Sequence, residues 1–219
     1  MITRAKACLL GCCAVWTVQA WAVPPAKDCT AIVSALERLT CFDQAAGTPA
    51  RVSVVPVRAV VVRPEIVELV EANEAAREAE NHRFMALVRP EPNGEGQQMV
   101  ISAPALGAAA PRPLLAISCQ SKITRLQLVV AEPLVPNRLR LRIFKDDRPV
   151  GAPRDWRVLD TGQVIDAGRG LPAIELLREL GGAQRLRLES VDYPPLDGLV
   201  FDAQGLDALI KQERELCRW

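Results

Sequence analysis

The residues of this 219-residue chain whose types could carry chemistry are seven cysteines, one histidine, scattered acids and two short rows of arginine. The histidine, His82, would have to act as base for any serine or cysteine hydrolase, and no Gly-x-Ser-x-Gly elbow accompanies it. Cys29, Cys41, Cys119 and Cys217 include no C-x-x-C pair, and His82 is not at ligand spacing from any of them. They therefore specify no zinc site. Phosphate loops and dinucleotide fingerprints are also missing. Paired carboxylates need no local motif. Asp192, Asp197 and Asp202 fall close together, but in turn-forming segments where aspartate is ordinary. These residues lead us to expect a non-enzymatic chain with no metal and no cofactor.

The arginines are more suggestive. Arg138, Arg140 and Arg142 alternate with Leu139, Leu141 and Ile143, the period of a strand with one dry face. Arg185 and Arg187 alternate with Leu186 and Leu188 in the same way. If the two strands are neighbours, five guanidinium groups could face an anionic partner, such as a cell-wall polymer or an acidic protein surface. The simpler expectation is the wet face of an antiparallel sheet, balanced by Glu189 and nearby acids.

The cysteines take their meaning from the start of the chain. Arg4 and Lys6 precede an apolar run at 7–18, and Ala20-Trp21-Ala22 offers a small-x-small cleavage site. The reading is a secretory signal cut after Ala22. The run is far short of a membrane span, and no other stretch could cross one. Leu9-Leu10-Gly11-Cys12 resembles a lipobox, but only 7–11 separate Lys6 from Cys12, too short for its hydrophobic segment. Cleavage removes Cys8, Cys12 and Cys13 and leaves four cysteines, which predicts two disulfides with three pairings open. It also takes Arg4 and Lys6 from the 27 basic residues, leaving 25 against 26 acids. A formal charge near −1 gives no general attraction to nucleic acid or anionic lipid.

Four segments must position these residues: 1–22 as signal, 23–50 as a small helical cysteine-bearing unit, 51–113 as a linker with a long Glu/Ala-rich helix, and 114–219 as an antiparallel β domain. In 28–47 a single helix would put Cys29 and Cys41 about 18 Å apart along its axis. The capping-box pattern Ser34-Ala35-Leu36-Glu37 instead predicts a turn at 30–33, a break, and a helix from Ala35, which would let the two cysteines meet. The valine-rich stretch 51–62 reads as an edge strand or extended linker, and 65–88 as one helix with apolar ends and a polar middle. Strands are expected at 98–102 and as a hairpin of 115–119 and 126–130. Further strands are expected at 138–144, 157–159 and 185–189, with a helix at 171–180. A last helix ends near Cys217. Leu206, Leu209, Ile210 and Cys217 share its apolar side, and Glu213 interrupts it, so a looser third turn is expected with Glu213 near an arginine or solvent.

Two stretches carry a resemblance. Arg38-Leu39-Thr40-Cys41-Phe42-Asp43, twelve residues after Cys29, resembles the N-terminal signature of the VasI/TagO family of type VI secretion-associated proteins. Phe201, Gly205-Leu206, Ala208-Leu209 and Cys217-Arg218-Trp219 resemble its C-terminal one. Phe42 stands where the family has tyrosine, losing a hydroxyl and keeping the packing body, and the 65–88 helix is not a family feature. The resemblance implies a periplasmic accessory component that helps assemble or regulate the secretion apparatus through protein contacts. Its partners would be apparatus or other envelope proteins. Peptidoglycan bound through the arginine face is the alternative, and a cell-wall hydrolase a weaker one. The expected fold is α+β: an N-terminal disulfide-linked helical segment, then a mainly antiparallel β domain closed by a C-terminal helix. The preferred pairing is Cys29 with Cys41 and Cys119 with Cys217.

Overall fold

Residues 28–48 and 63–219 are described by a computed structural model, and they belong to two separate units. The segment expected to be a signal, Cys12 and the valine-rich 51–62 lie outside the described residues.

In the first unit a 3-10 turn, Cys29–Ala31, is followed by a break and then α1, Ala35–Ala46. Asp28 caps the turn, accepting hydrogen bonds from the Thr30 hydroxyl at 2.6 Å and the Thr30 amide at 3.0 Å. Those bonds hold its carboxyl below the usual aspartate range. Gly47 ends α1 in the left-handed region that only glycine adopts freely. The bend brings the Cα atoms of Cys29 and Cys41 to 5.6 Å, and the two are disulfide-bonded. The helix starts where the capping pattern predicts, but the box itself does not form. The Ser34 side chain makes no capping bond. Instead Arg38 reaches back, Nη1 donating to the Ile32 carbonyl at 3.1 Å, and so holds the bend from the other side. Phe42 is 47% exposed, so its ring is not the packing element the resemblance suggested.

In the second unit ten strands form one sheet. They are β1 (Met85–Pro90), β2 (Gln97–Pro104), β3 (Leu114–Gln120), β4 (Ile123–Val129), β5 (Arg138–Lys145), β6 (Arg148–Pro149), β7 (Arg154–Val158), β8 (Val164–Arg169), β9 (Arg185–Ser190) and β10 (Val200–Asp202). The order across the sheet is β1-β2-β3-β4-β8-β7-β5-β9-β10, with β6 on β5, and every named pairing is antiparallel. Single bridges, Leu106 with Val200 and Arg83 with Asp202, tie the two edges together, so the sheet curls round on itself. The β3–β4 hairpin turns on Ser121 and Lys122, both at positive φ, as the twist-compatible two-residue turn requires.

The curl encloses a core of alternating residues such as Ile117, Leu128, Leu141, Trp156 and Phe201. Two helices, α3 (Leu171–Leu180) and α4 (Leu206–Cys217), supply Leu177, Leu180, Leu206 and Ile210 to it. Each such fully buried aliphatic side chain stabilises by about 1.5–3 kcal/mol. A further helix, α2 (Glu65–Glu74), covers part of the other sheet face, packing Ile66, Leu69 and Val70 on Val100, Ala116 and Val129. The chain is α+β, with an N-terminal disulfide-bonded helix, an antiparallel half-barrel and the closing helix α4.

The long helix expected over 65–88 is not formed. Helix α2 stops at Glu74, and 85–90 is the strand β1, paired with β2 in full register. The middle of 65–88 has helix-favouring residues but no apolar face to bury, so packing gives the helix nothing to gain. Arg77 secures the exit instead: its guanidinium donates to the carbonyls of Asn81 (2.9 Å), Arg83 (2.7 Å) and Ser102 (3.0 Å) and pairs with Glu74. Both α2 and β1–β2 pack into the sheet rather than spanning it as linker.

Candidate interaction face and its clamp

Strands β5 and β9 lie side by side, so both arginine rows share one surface. Their leucines and Ile143 point into the core, which leaves the arginines outward. On the other flank of β5, Arg138 stands opposite Arg157 and Arg140 opposite Asp155 of β7. Phe144 faces Arg187 across β5–β9. Two guanidiniums lie over its ring, Arg187 at 3.8 Å and Arg142 at 4.9 Å from the ring centre.

Acids answer some of this charge. Asp155 lies 3.4 Å from Arg138 and 3.7 Å from Arg140. Glu189 pairs with Arg142 at 2.7 Å, and Asp147 with Arg185. Arg157 and Arg187 form no ion pair among the described residues. The flanking acids are engaged elsewhere: Asp166 accepts from the Gly168 amide at 2.7 Å, and Asp202 pairs with Arg83. Exposed pairs of this kind are each worth about 0–1 kcal/mol. The pairs of Arg138, Arg140 and Arg185 hold those side chains loosely and leave their guanidiniums open to other carboxylates, whereas Arg142 is bonded to Glu189 through Nε and Nη2 and is less open.

A second constellation braces the end of α4. Cys217 is disulfide-bonded to Cys119 of β3, 98 residues earlier, with Cα atoms 5.8 Å apart. Opposite Cys119 on β4 stands Thr124. One turn before Cys217, Glu213 is fully buried. This replaces the expectation that it would lie near an arginine or solvent. Its Oε1 accepts from the Thr124 hydroxyl at 2.7 Å, and its Oε2 accepts from the Trp219 indole N–H at 2.9 Å. Burial raises its pKa, opposed by those two hydrogen bonds. The third turn of α4 is thus held by neutral donors. The Trp219 ring lies between the guanidiniums of Arg178 (5.6 Å) and Arg214 (5.5 Å), and the Arg214 Nε donates to the Trp219 carbonyl at 2.6 Å.

Cys119, Cys217 and Glu213 bring their side-chain atoms within 4.8 Å of one another. The sulfurs are bonded together, so only the carboxylate could offer an anionic ligand, too little for a metal site. Asp192 and Asp197 accept from the backbone amides of Arg140 (3.1 Å) and Ser190 (2.9 Å), and Asp202 from that of Gln204 (3.0 Å). They are turn and strand-end fasteners spread around β9, with no shared reacting centre. His82 sits in the irregular connection ahead of β1 rather than on a helix.

Sequence reasoning missed Arg157, Phe144 and the Thr124–Glu213–Trp219 set. Strand alternation on either side of the buried Trp156 turns Arg157 outward, but nothing local says that β7 lies beside β5. Thr124 and Glu213 are 89 residues apart, with no motif linking them.

No curated protein and no solved structure matches this chain. The model of one protein family, described as type VI secretion system VasI, EvfG, matches residues 28–219, which include both disulfides, the arginine face and the clamp on α4. The chain belongs to the VasI family of type VI secretion system proteins.

Proposed function

We propose that this chain is a non-enzymatic accessory component of a type VI secretion system, acting in the periplasm through protein contacts that assist assembly or regulation of the apparatus. The observation that carries the reading is the pairing of all four cysteines between residues 28 and 219 within a family of this secretion system. Such bonds persist in oxidising compartments. Export would follow from a leader cut after Ala22. Among the described residues no helix is long and apolar enough to cross a membrane. The test joins two measurements: secretion by a strain lacking the gene, and co-purification of apparatus proteins with the tagged chain from periplasm. Normal secretion together with no apparatus protein recovered would overturn the reading.

The adjacency of β5 and β9 favours a second reading, a module that binds peptidoglycan through Arg138, Arg140, Arg142, Arg185 and Arg187. Sedimentation with purified sacculi separates the two. Sacculus binding that is unchanged by Arg138→Glu, Arg140→Glu and Arg142→Glu removes the arginines from it.

A further inference from the structure

We infer that the arginine face of β5, β7 and β9 docks an extended, carboxylate-rich segment of a partner protein, running along β5; this rests on the reading that the chain works through protein contacts. Arg138, Arg140 and Arg142 recur at every second residue, about 7 Å apart in a strand. Another extended chain repeats its side chains with the same two-residue period. Carboxylates at its alternate positions therefore fall opposite successive guanidiniums, and each planar fork takes a carboxylate through two parallel hydrogen bonds.

Three observations on the face point to that occupant. Asp155 already stands between Arg138 and Arg140, so this part of the face accepts a carboxylate, and its side chain is still 47% exposed. Arg157 lies directly across from Arg138, and like charges at such positions are destabilising. A face meeting only water gains nothing from that arrangement, whereas an incoming anion relieves it. Among the described residues Arg187 has no carboxylate partner, and its guanidinium lies over Phe144, a half-buried aromatic on an otherwise charged surface. Phe144 gathers the Arg187 and Arg142 guanidiniums over one ring, so an arriving carboxylate meets two cations at that point. The two-residue period and the Asp155 precedent favour peptide carboxylates over a phosphate polymer or a glycan.

The test uses the oxidised chain and a labelled peptide of about ten residues with alternating glutamate and threonine, the length of a long strand. Binding is read by fluorescence anisotropy at low and moderate salt, beside an isomer with its glutamates in one block. The alternating peptide is expected to bind more tightly than the blocked isomer and to weaken with salt. Arg138→Glu, Arg140→Glu and Arg142→Glu together should weaken it at least about tenfold by replacing attraction with repulsion. Arg157→Gln with Arg187→Gln breaks no described ion pair and should weaken it several-fold, which keeps the test valid if the charge reversals disturb folding. Equal binding of the two isomers, or wild-type binding by the Arg157/Arg187 variant, overturns the inference. So does binding of polyphosphate or sacculi without binding of the peptide. Peptide binding that follows the arginines, while a strain lacking the gene secretes normally and no apparatus protein co-purifies, would instead remove the functional reading and leave the face standing.

Discussion

Glu213 offers the sharpest test of how α4 is held. Replacing it with alanine removes a carboxylate that satisfies two buried donors, the Thr124 hydroxyl and the Trp219 indole. Each donor left without a partner costs about 1–3 kcal/mol, and the vacated volume adds to that. Against this stands the cost of keeping a charge in a fully buried position, which the substitution also removes. The net expectation for Glu213→Ala is a loss of about 2–4 kcal/mol. Glutamine distinguishes the contributions. Its carbonyl can still accept from Trp219, and its amide can donate to the Thr124 hydroxyl, so both contacts survive without the charge. Glu213→Gln is therefore expected within about 1 kcal/mol of wild type near neutral pH.

The pH dependence follows from the direction of the shift. Because the folded-state pKa is raised by burial, the stability this group contributes is fully present below its ordinary value and is lost as pH rises through the raised value. Wild type should gain stability relative to Glu213→Gln as pH falls through the raised folded-state value toward the ordinary glutamate range. Urea unfolding of the oxidised proteins, followed by tryptophan fluorescence, measures both quantities. Equal losses for alanine and glutamine, with wild type losing stability relative to Glu213→Gln as pH falls, would mean that the ionised carboxylate is required and the burial cost has been misjudged.

Three further outcomes are expected. Cys119→Ser with Cys217→Ser opens a loop of nearly a hundred residues and should lower unfolding free energy by about 4–5 kcal/mol in the chain-entropy model, measured by urea titration. A loss under about 1 kcal/mol would show that packing alone secures α4. Leu69→Ala, beneath α2, should cost about 2–5 kcal/mol, whereas a helix that merely bridged two domains would tolerate it. Asn73→Ala removes the donor to the Ser102 hydroxyl at 2.8 Å and the Met85 carbonyl at 3.0 Å, and should speed amide exchange in β1 before the rest of the sheet.

What could be read from the sequence depended on how far apart the cooperating residues lie. The strand 138–144 and the helix 171–180 were legible because alternation, Pro172 and Gly181 are local signals that packing reinforces. The break before Ala35 was legible too, although Arg38 rather than the Ser34 side chain secures it. The 65–88 segment misled because propensity and tertiary demand conflict there. Its Ala/Glu middle favours a helix, while Met85 and Leu87 are needed at the edge of the sheet. At the candidate face the outward arginines were visible one strand at a time. The order β7-β5-β9, which makes them one surface, depends on crossovers that no local pattern encodes.

The unequal spans of the two disulfides also set an order of events. Cys29 and Cys41 are 12 residues apart and can meet as soon as their short segment emerges, whereas Cys119 must wait for a partner 98 residues later. During that interval Cys119 is present and Cys217 is not, so in an oxidising compartment the Cys119 thiol would meet whatever other thiols remain open. Prompt closure of Cys29 with Cys41 leaves Cys119, among the four cysteines of the described residues, nothing but Cys217 to pair with. The small N-terminal loop thereby protects the fidelity of the large one, and a chain lacking Cys29 alone should accumulate Cys41–Cys119 and Cys41–Cys217 isomers that depend on a disulfide isomerase for rescue.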